Sequence, residues 1–156
     1  TMNTIYVLTK DRTKTTAEHF LDYFLPQRKD VADEFGYTQY ADEPSVNYSN
    51  VGELLVRLEA DVLSPYSLYW NACVERKCQG AVDQAMLFFT DDGAMVVGLG
   101  TSDIDAEVLL QKVCEVVRGE WGYVTGDDAP ASSAREFMAT CRAATLPRVV
   151  AGELLT

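Results

Sequence analysis

The residues with most chemical potential are carboxylates gathered around turns. Asp91 and Asp92 stand together before Gly93, Asp103 and Asp105 follow the next apolar run, and Asp127 with Asp128 comes one apolar run later. Such a set can hold Mg²⁺ for hydrolytic or phosphoryl chemistry, because hard cations take oxygen ligands. The same residues have plainer uses. Asp-Asp-Gly suits a tight hairpin turn, and Ser102-Asp-Ile-Asp105 suits a helix start. Neither has the spacing of a calcium loop. Turns and caps are therefore the expected roles, with no metal and no cofactor.

Other reactive side chains lack the company that chemistry needs. His19 is the only histidine. Triads and most general bases rest on a histidine held by a carboxylate beside a nucleophile. His19 lies next to Glu18 among Ala17, Phe20 and Leu21, and no Gly-x-Ser-x-Gly occurs. It reads as a helix residue at the edge of the core. Cys73, Cys78, Cys114 and Cys141 do not form the two tight pairs of a zinc site. Cys73, near Tyr69 and Trp70, lacks the flanking signature of a thiol nucleophile. Gly98-Leu-Gly100 leads a strand towards a helix without a P-loop lysine or the third glycine of a dinucleotide fingerprint. An enzyme is not expected.

The charge carries more information. Of 156 residues, 24 are acidic and 13 basic, a net −11. A polyanion without a Lys/Arg cluster is a poor ligand for nucleic acid. Ten acids lie between Asp83 and Asp128, with only Lys112 and Arg118 against them. A solvated acidic face keeps a protein soluble; it also attracts a basic partner and repels acidic ones. On that second reading Asp91, Asp92, Asp103, Asp105, Glu120, Asp127 and Asp128 form the electrostatic surface. Trp121 and Tyr123 are the candidate aromatic anchors beside it, with Tyr69 and Trp70 weaker ones.

These residues depend on a regular framework. Ile5 to Leu8 is a short apolar strand. Ala17, Phe20, Leu21, Phe24 and Leu25 recur at helical spacing; Pro26 ends that helix near Phe24, and a second piece is expected from Gln27 to Phe35. Gly36 to Asn50 reads as an irregular loop held by Tyr37, Tyr40 and Tyr48. Asn50-Val-Gly-Glu53 is a capping box opening a helix that buries Leu54, Leu55, Leu58 and Val62. Tyr66 to Ala72 alternates like a strand. Ala85 to Thr90 and Ala94 to Leu99 form a hairpin of nearly continuous apolar strands, the pattern of central strands covered on both faces. Ser102 and Asp105 open a helix to Arg118 with Ile104, Val108, Leu109, Val113, Val116 and Val117 inward, and Gly119 closes it. Trp121 to Thr125 is a strand, and Ser132 or Ser133 caps a last helix through Ala144. The tail after Pro147 has no assigned structure.

Helices early and a hairpin in the middle make the class α+β: one domain over 1–156, with a central antiparallel or mixed sheet packed against helices. No apolar run nears the roughly 20 residues needed to cross a bilayer. Met2 reads as the start, with no basic n-region and no long apolar stretch behind it, so a cytoplasmic protein is expected.

Several stretches together resemble bacterial polymorphic-toxin immunity proteins. They are Tyr66-Ser-Leu-Tyr-Trp-Asn71, the hairpin Ala85 to Leu99, and Gly122-Tyr-Val-Thr-Gly-Asp-Asp-Ala-Pro130 before Ser133-Ala-Arg-Glu-Phe137. Ile5-Tyr-Val-Leu-Thr9 and Phe20-Leu-Asp-Tyr-Phe-Leu-Pro26 fit the same texture. The nearest likeness is to the immunity family encoded beside restriction-endonuclease-fold toxins of type VI secretion or contact-dependent systems. The resemblance implies a small non-catalytic protein that neutralises one cognate toxin, a nuclease with a basic groove, by stoichiometric occlusion. The alternatives are an acidic adaptor or chaperone and a carboxylate-metal hydrolase using Asp91 and Asp92. A homo-oligomer is compatible with each.

Overall fold

The structure, a computed structural model, describes residues 2–72, 82–102 and 105–156. Cys73, Cys78, Asp103, Ile104 and most of the polar stretch from Cys73 to Asp83 lie outside them. The first strand, β1 (Met2–Leu8), leads to α1 (Lys14–Phe24). The Thr13 hydroxyl accepts the Thr16 N–H and opens the helix. Its buried residues are Ala17, Phe20, Leu21 and Phe24, the stripe read from the sequence.

The expected second helical piece is not formed. Beyond Pro26 the chain makes β2 (Arg28–Asp30), then a hairpin of β3 (Phe35–Tyr37) and β4 (Val46–Tyr48). Val31 and Phe35 alone cannot give this polar stretch a buried helical face. Tertiary contacts hold it instead: Trp70 Nε1 donates to Asp30 Oδ1 at 2.7 Å, and Phe35 enters the core. The region between Gly36 and Asn50 is therefore more regular than expected. Tyr37 stacks on Tyr66 and meets Tyr48 edge-on, whereas Tyr40 points into solvent.

Asn50 caps α2 (Val51–Ala60) by accepting the Glu53 N–H, and Leu54, Leu55 and Leu58 are buried. Val62 falls beyond the helix and is exposed, against expectation. Next come β5 (Tyr66–Ala72), β6 (Val82–Phe89) and β7 (Met95–Ser102). Ser102 does not cap the helix that follows; it ends β7, its hydroxyl donating to Asp83 at 3.0 Å. Asp105 caps α3 (Ala106–Val117) by accepting the Glu107 and Val108 N–H groups. The helix buries Leu109, Leu110, Val113 and Val117 and leaves Val108 exposed. The left-handed residue at the helix end is Arg118, at φ 53°, not Gly119. Glycine is needed at 119 for room, since a Cβ there would lie 2.5 Å from Val7 Cγ1 and 2.6 Å from the Leu8 carbonyl oxygen.

The chain ends with β8 (Trp121–Thr125), α4 (Ala134–Ala143) capped by Ser133, and β9 (Arg148–Val150) turning tightly into β10 (Glu153–Leu155). Ala151 and Gly152 both have positive φ, as a two-residue hairpin turn requires.

Eight strands form one sheet in the order β10-β9-β8-β1-β7-β6-β5-β2, and each neighbouring pair is antiparallel. One face carries α1, α2 and α3 over Ile5, Val7, Leu87, Val97 and Leu99. On the other, Phe137 and Cys141 of α4 pack on Tyr6, Val96 and Tyr123. Cover on both sides explains why β7 is buried almost throughout. The fold is α+β and its main sheet is wholly antiparallel.

One buried cation ties the layers together. Arg12 donates to five carbonyl oxygens: Leu58 (2.8 Å), Asp61 (3.0 Å), Ser64 (2.6 Å), Thr90 (2.8 Å) and Ala94 (3.2 Å). It thereby satisfies acceptors left open at the end of α2 and joins them to the β6–β7 turn. Its guanidinium also lies 5.0 Å from the Phe89 ring centroid.

Candidate functional site

Of the two aromatic anchors expected on β8, Tyr123 is a buried packing residue and Trp121 is partly buried. Strand alternation sends Trp121 and Tyr123 to the face covered by α4. Tyr123 is 5% exposed, its ring centroid 5.2 Å from that of Phe137 and 5.8 Å from that of Tyr6. Burial, reinforced by Tyr6, pushes its phenol far up. Trp121 is half-buried with the Arg142 guanidinium 4.8 Å over its ring. Tyr123 offers no free face, whereas Trp121 keeps part of its surface open in a concavity shared with Leu8, Lys10 and Glu120. Trp70 is buried as well, whereas Tyr69 is 37% exposed.

The carboxylates predicted to form one surface are exposed but divided between the two ends of the sheet. Leu8 pairs with both Val96 and Trp121, so Asp91, Asp92 and Glu120 gather at that end. Thr4 pairs with Gly100 and Thr125, which puts Asp105 and the start of the Asp127–Asp128 loop at the other. Seven strand residues at about 3.3 Å each separate the two groups by roughly 20 Å. Asp128 lies between them, because its loop crosses back over the sheet. Tyr6 Oη donates to the Asp128 carbonyl at 2.9 Å, and the Asp91 N–H donates to the Ser132 carbonyl at 3.0 Å. Asp103 lies outside the described residues.

Two neighbours in the turn have different roles. Asp91 projects into solvent. Asp92 turns to α4, where Oδ1 accepts the Ala134 N–H at 2.8 Å and Oδ2 the Arg135 N–H at 3.3 Å. Partial burial works to raise its carboxyl. The N–H groups of Ala134 and Arg135 and the Thr90 hydroxyl outweigh that and hold it below the usual carboxylate range. Both oxygens are thus committed to a helix start, which leaves little of Asp92 for a cation. Among the described residues no three His, Cys, Asp or Glu side chains are placed to share a metal ion.

Tyr123 and Asp128 line a concavity of about 440 Å³ between the 128–131 loop and the end of α4, with Pro130, Thr140 and Leu146. Its volume suits a small ligand, but its lining converges few polar groups.

A second acidic field lies outside the Asp83–Asp128 stretch. From Asp30 to Val56 there are six acids, Asp30, Asp33, Glu34, Asp42, Glu43 and Glu53, and no base. All six are exposed. Tyr40 stands among them, 86% exposed and held at φ 64°. The segment is fastened by Gln39, whose Nε2 donates to the Ser67 carbonyl at 2.8 Å while its Oε1 accepts the Ser67 N–H at 2.7 Å. A charge count would have found this field; the seating of Tyr40 beside β5 has no sequence signal.

Comparison of the chain with protein-family models, with curated proteins and with solved structures finds no match in any of the three.

Proposed function

We infer that the protein is an inhibitor of the immunity type, binding and neutralising a cognate antibacterial toxin, a nuclease with a basic surface, in a one-to-one complex. The observation that carries this reading is the outward placement of the acids. Asp91, Asp105, Glu120, Asp127 and Asp128, together with the six acids between Asp30 and Val56, all lie exposed on a chain of net −11. Such a field speeds and selects association with a basic protein, and it repels the nucleic acid that the toxin would otherwise hold. Occlusion needs no chemistry from the inhibitor. The complex would form in the cytoplasm of the toxin-producing cell.

The test is calorimetric titration with the product of the adjacent gene at low and moderate salt. One-to-one binding that weakens as salt rises supports the reading, because screening shortens the reach of exposed charges. Absence of binding to either neighbouring product removes it.

A further inference from the structure

We propose that the groove at the outer edge of β5, between Tyr40 and Tyr69, seats an arginine-bearing extended segment of a basic partner. The inference rests on the reading of the partner as basic, and it locates the docking surface away from the predicted acidic turns.

The groove is left by incomplete pairing. The ladder between β2 and β5 stops at Asp30 opposite Trp70, and further along Gln39 takes up the N–H and carbonyl of Ser67. A concavity of about 260 Å³ lies along this edge, lined by Val31, Glu34, Phe35, Gln39, Tyr40 and Tyr69 among others. That is smaller than a cleft for a drug-sized ligand and closer to the volume of one long side chain. Its walls are apolar and aromatic. Val31 is 53% exposed, and Tyr69 is braced from beneath by Phe88, ring centroids 5.7 Å apart.

The charge around it selects the occupant. Glu34 lines the groove, and Asp30, Asp33, Asp42 and Glu43 lie exposed in the same stretch of chain. Of the bases near it, Arg28 is paired with Asp22 at 3.0 Å and Arg57, over the Tyr37 ring, with Asp61 at 2.6 Å. Aromatic walls with the Glu34 carboxylate among them suit a guanidinium, which stacks on rings and forks to carboxylates, better than an ammonium.

Tyr40 supplies the independent sign. A bulky residue at φ 64° is costly, and an exposed ring gains no packing within this chain to offset the cost. Strain of this kind persists where the surroundings hold the chain, and the adjoining Gln39 is fastened to Ser67 by two hydrogen bonds. Tyr40 thus stands at the mouth of the groove with its ring exposed.

The test titrates ¹⁵N-labelled protein with an Arg-Gly-Arg-Gly amide and, as control, a Glu-Gly-Glu-Gly amide. Amide shifts confined to 31–40 and 67–69 with the first peptide alone are expected. Tyr40→Gly and Tyr69→Ser should each weaken binding roughly tenfold. Tyr40→Gly should not lower the thermal midpoint, since glycine accepts the positive φ. Shifts spread over Asp91, Asp105 and Asp127, or undiminished binding in both variants, would overturn the proposal. Titration with the adjacent gene product separates the two inferences. Tight toxin binding unaffected by Tyr40→Gly removes this groove and leaves the inhibitor; peptide seating without toxin binding does the reverse.

Discussion

The carboxylate of Asp92, in the turn between β6 and β7, accepts the backbone N–H of Ala134 at 2.8 Å and so helps to start a helix far along the chain. Ser133 caps the same helix from within, so α4 has two acceptors at its start. Asp92→Ala should cost about 1 kcal/mol in urea unfolding. Asp92→Asn, which keeps an acceptor, should cost less. If the protein binds the basic partner proposed above, neither should alter that binding by more than a small salt-dependent amount. A large binding loss with unchanged stability would return Asp92 to the interface.

The same contact has a pH signature. The folded Asp92 carboxyl is held below its unfolded value, so its stabilisation is complete above the unfolded value and is lost as pH falls through the folded one. The stability advantage of the natural protein over Asp92→Asn should be level at neutral pH and shrink on acidification below about pH 4. Urea midpoints measured from pH 7 to pH 2.5 decide it.

Arg12 should be among the most sensitive positions. Its five acceptors are backbone carbonyls, so no carboxylate is left behind when it is removed. What remains is a set of shielded acceptors at the end of α2. Arg12→Ala should therefore cost about 3 kcal/mol or more. Arg12→Lys should recover only part of this, because a point ammonium cannot reach acceptors spread across a planar fork. Full rescue by lysine would contradict the account.

Positions 118 and 119 should respond in opposite directions. Gly119→Ala forces a Cβ against Val7 and the Leu8 carbonyl and should destabilise by about 1–3 kcal/mol. Arg118→Gly relieves the φ of 53° and should leave stability equal or higher by up to about 1 kcal/mol, allowing for its 3.6 Å contact with Asp11. Thermal melts of the two variants are sufficient.

Two thiols should be silent. Burial pushes Cys114 and Cys141 up to about 12, so little thiolate exists at pH 8. Iodoacetamide should leave both unmodified in the native protein and label both in urea, as peptide mass mapping would record. Rapid native labelling of Cys141 would mean that α4 opens readily.

Period and punctuation made much of the fold legible. Tyr66 to Ala72 and Trp121 to Thr125 are strands with the limits expected from alternation and turns. Thr13, Asn50, Asp105 and Ser133 all cap helices, and three of those helices begin close to where the pattern placed them. The errors came where long-range contact outweighs local pattern. Nothing local marks Arg28 to Asp30 as a strand, because its warrant is Trp70 across the sheet. Val108 is exposed because, at about 100° per residue, it lies across the helix from the buried Val113 and Val117. At the candidate surface, composition identified acids but not their places. Alternation alone could not say which face of β8 would be roofed by α4, and so it could not show that Tyr123 was unavailable.

The position of β1 has a consequence for biosynthesis. Val7 sits between Val97 and Gly122, partners that leave the ribosome long after it does. Until they emerge, the first strand has nothing to pair with, and without it the sheet is two disconnected pieces. Contacts this distant in sequence slow folding and leave strand edges bare in the meantime. Under the inhibitor reading, a nascent chain gives no protection. On that same reading, protection would begin only once the whole chain has been completed and released.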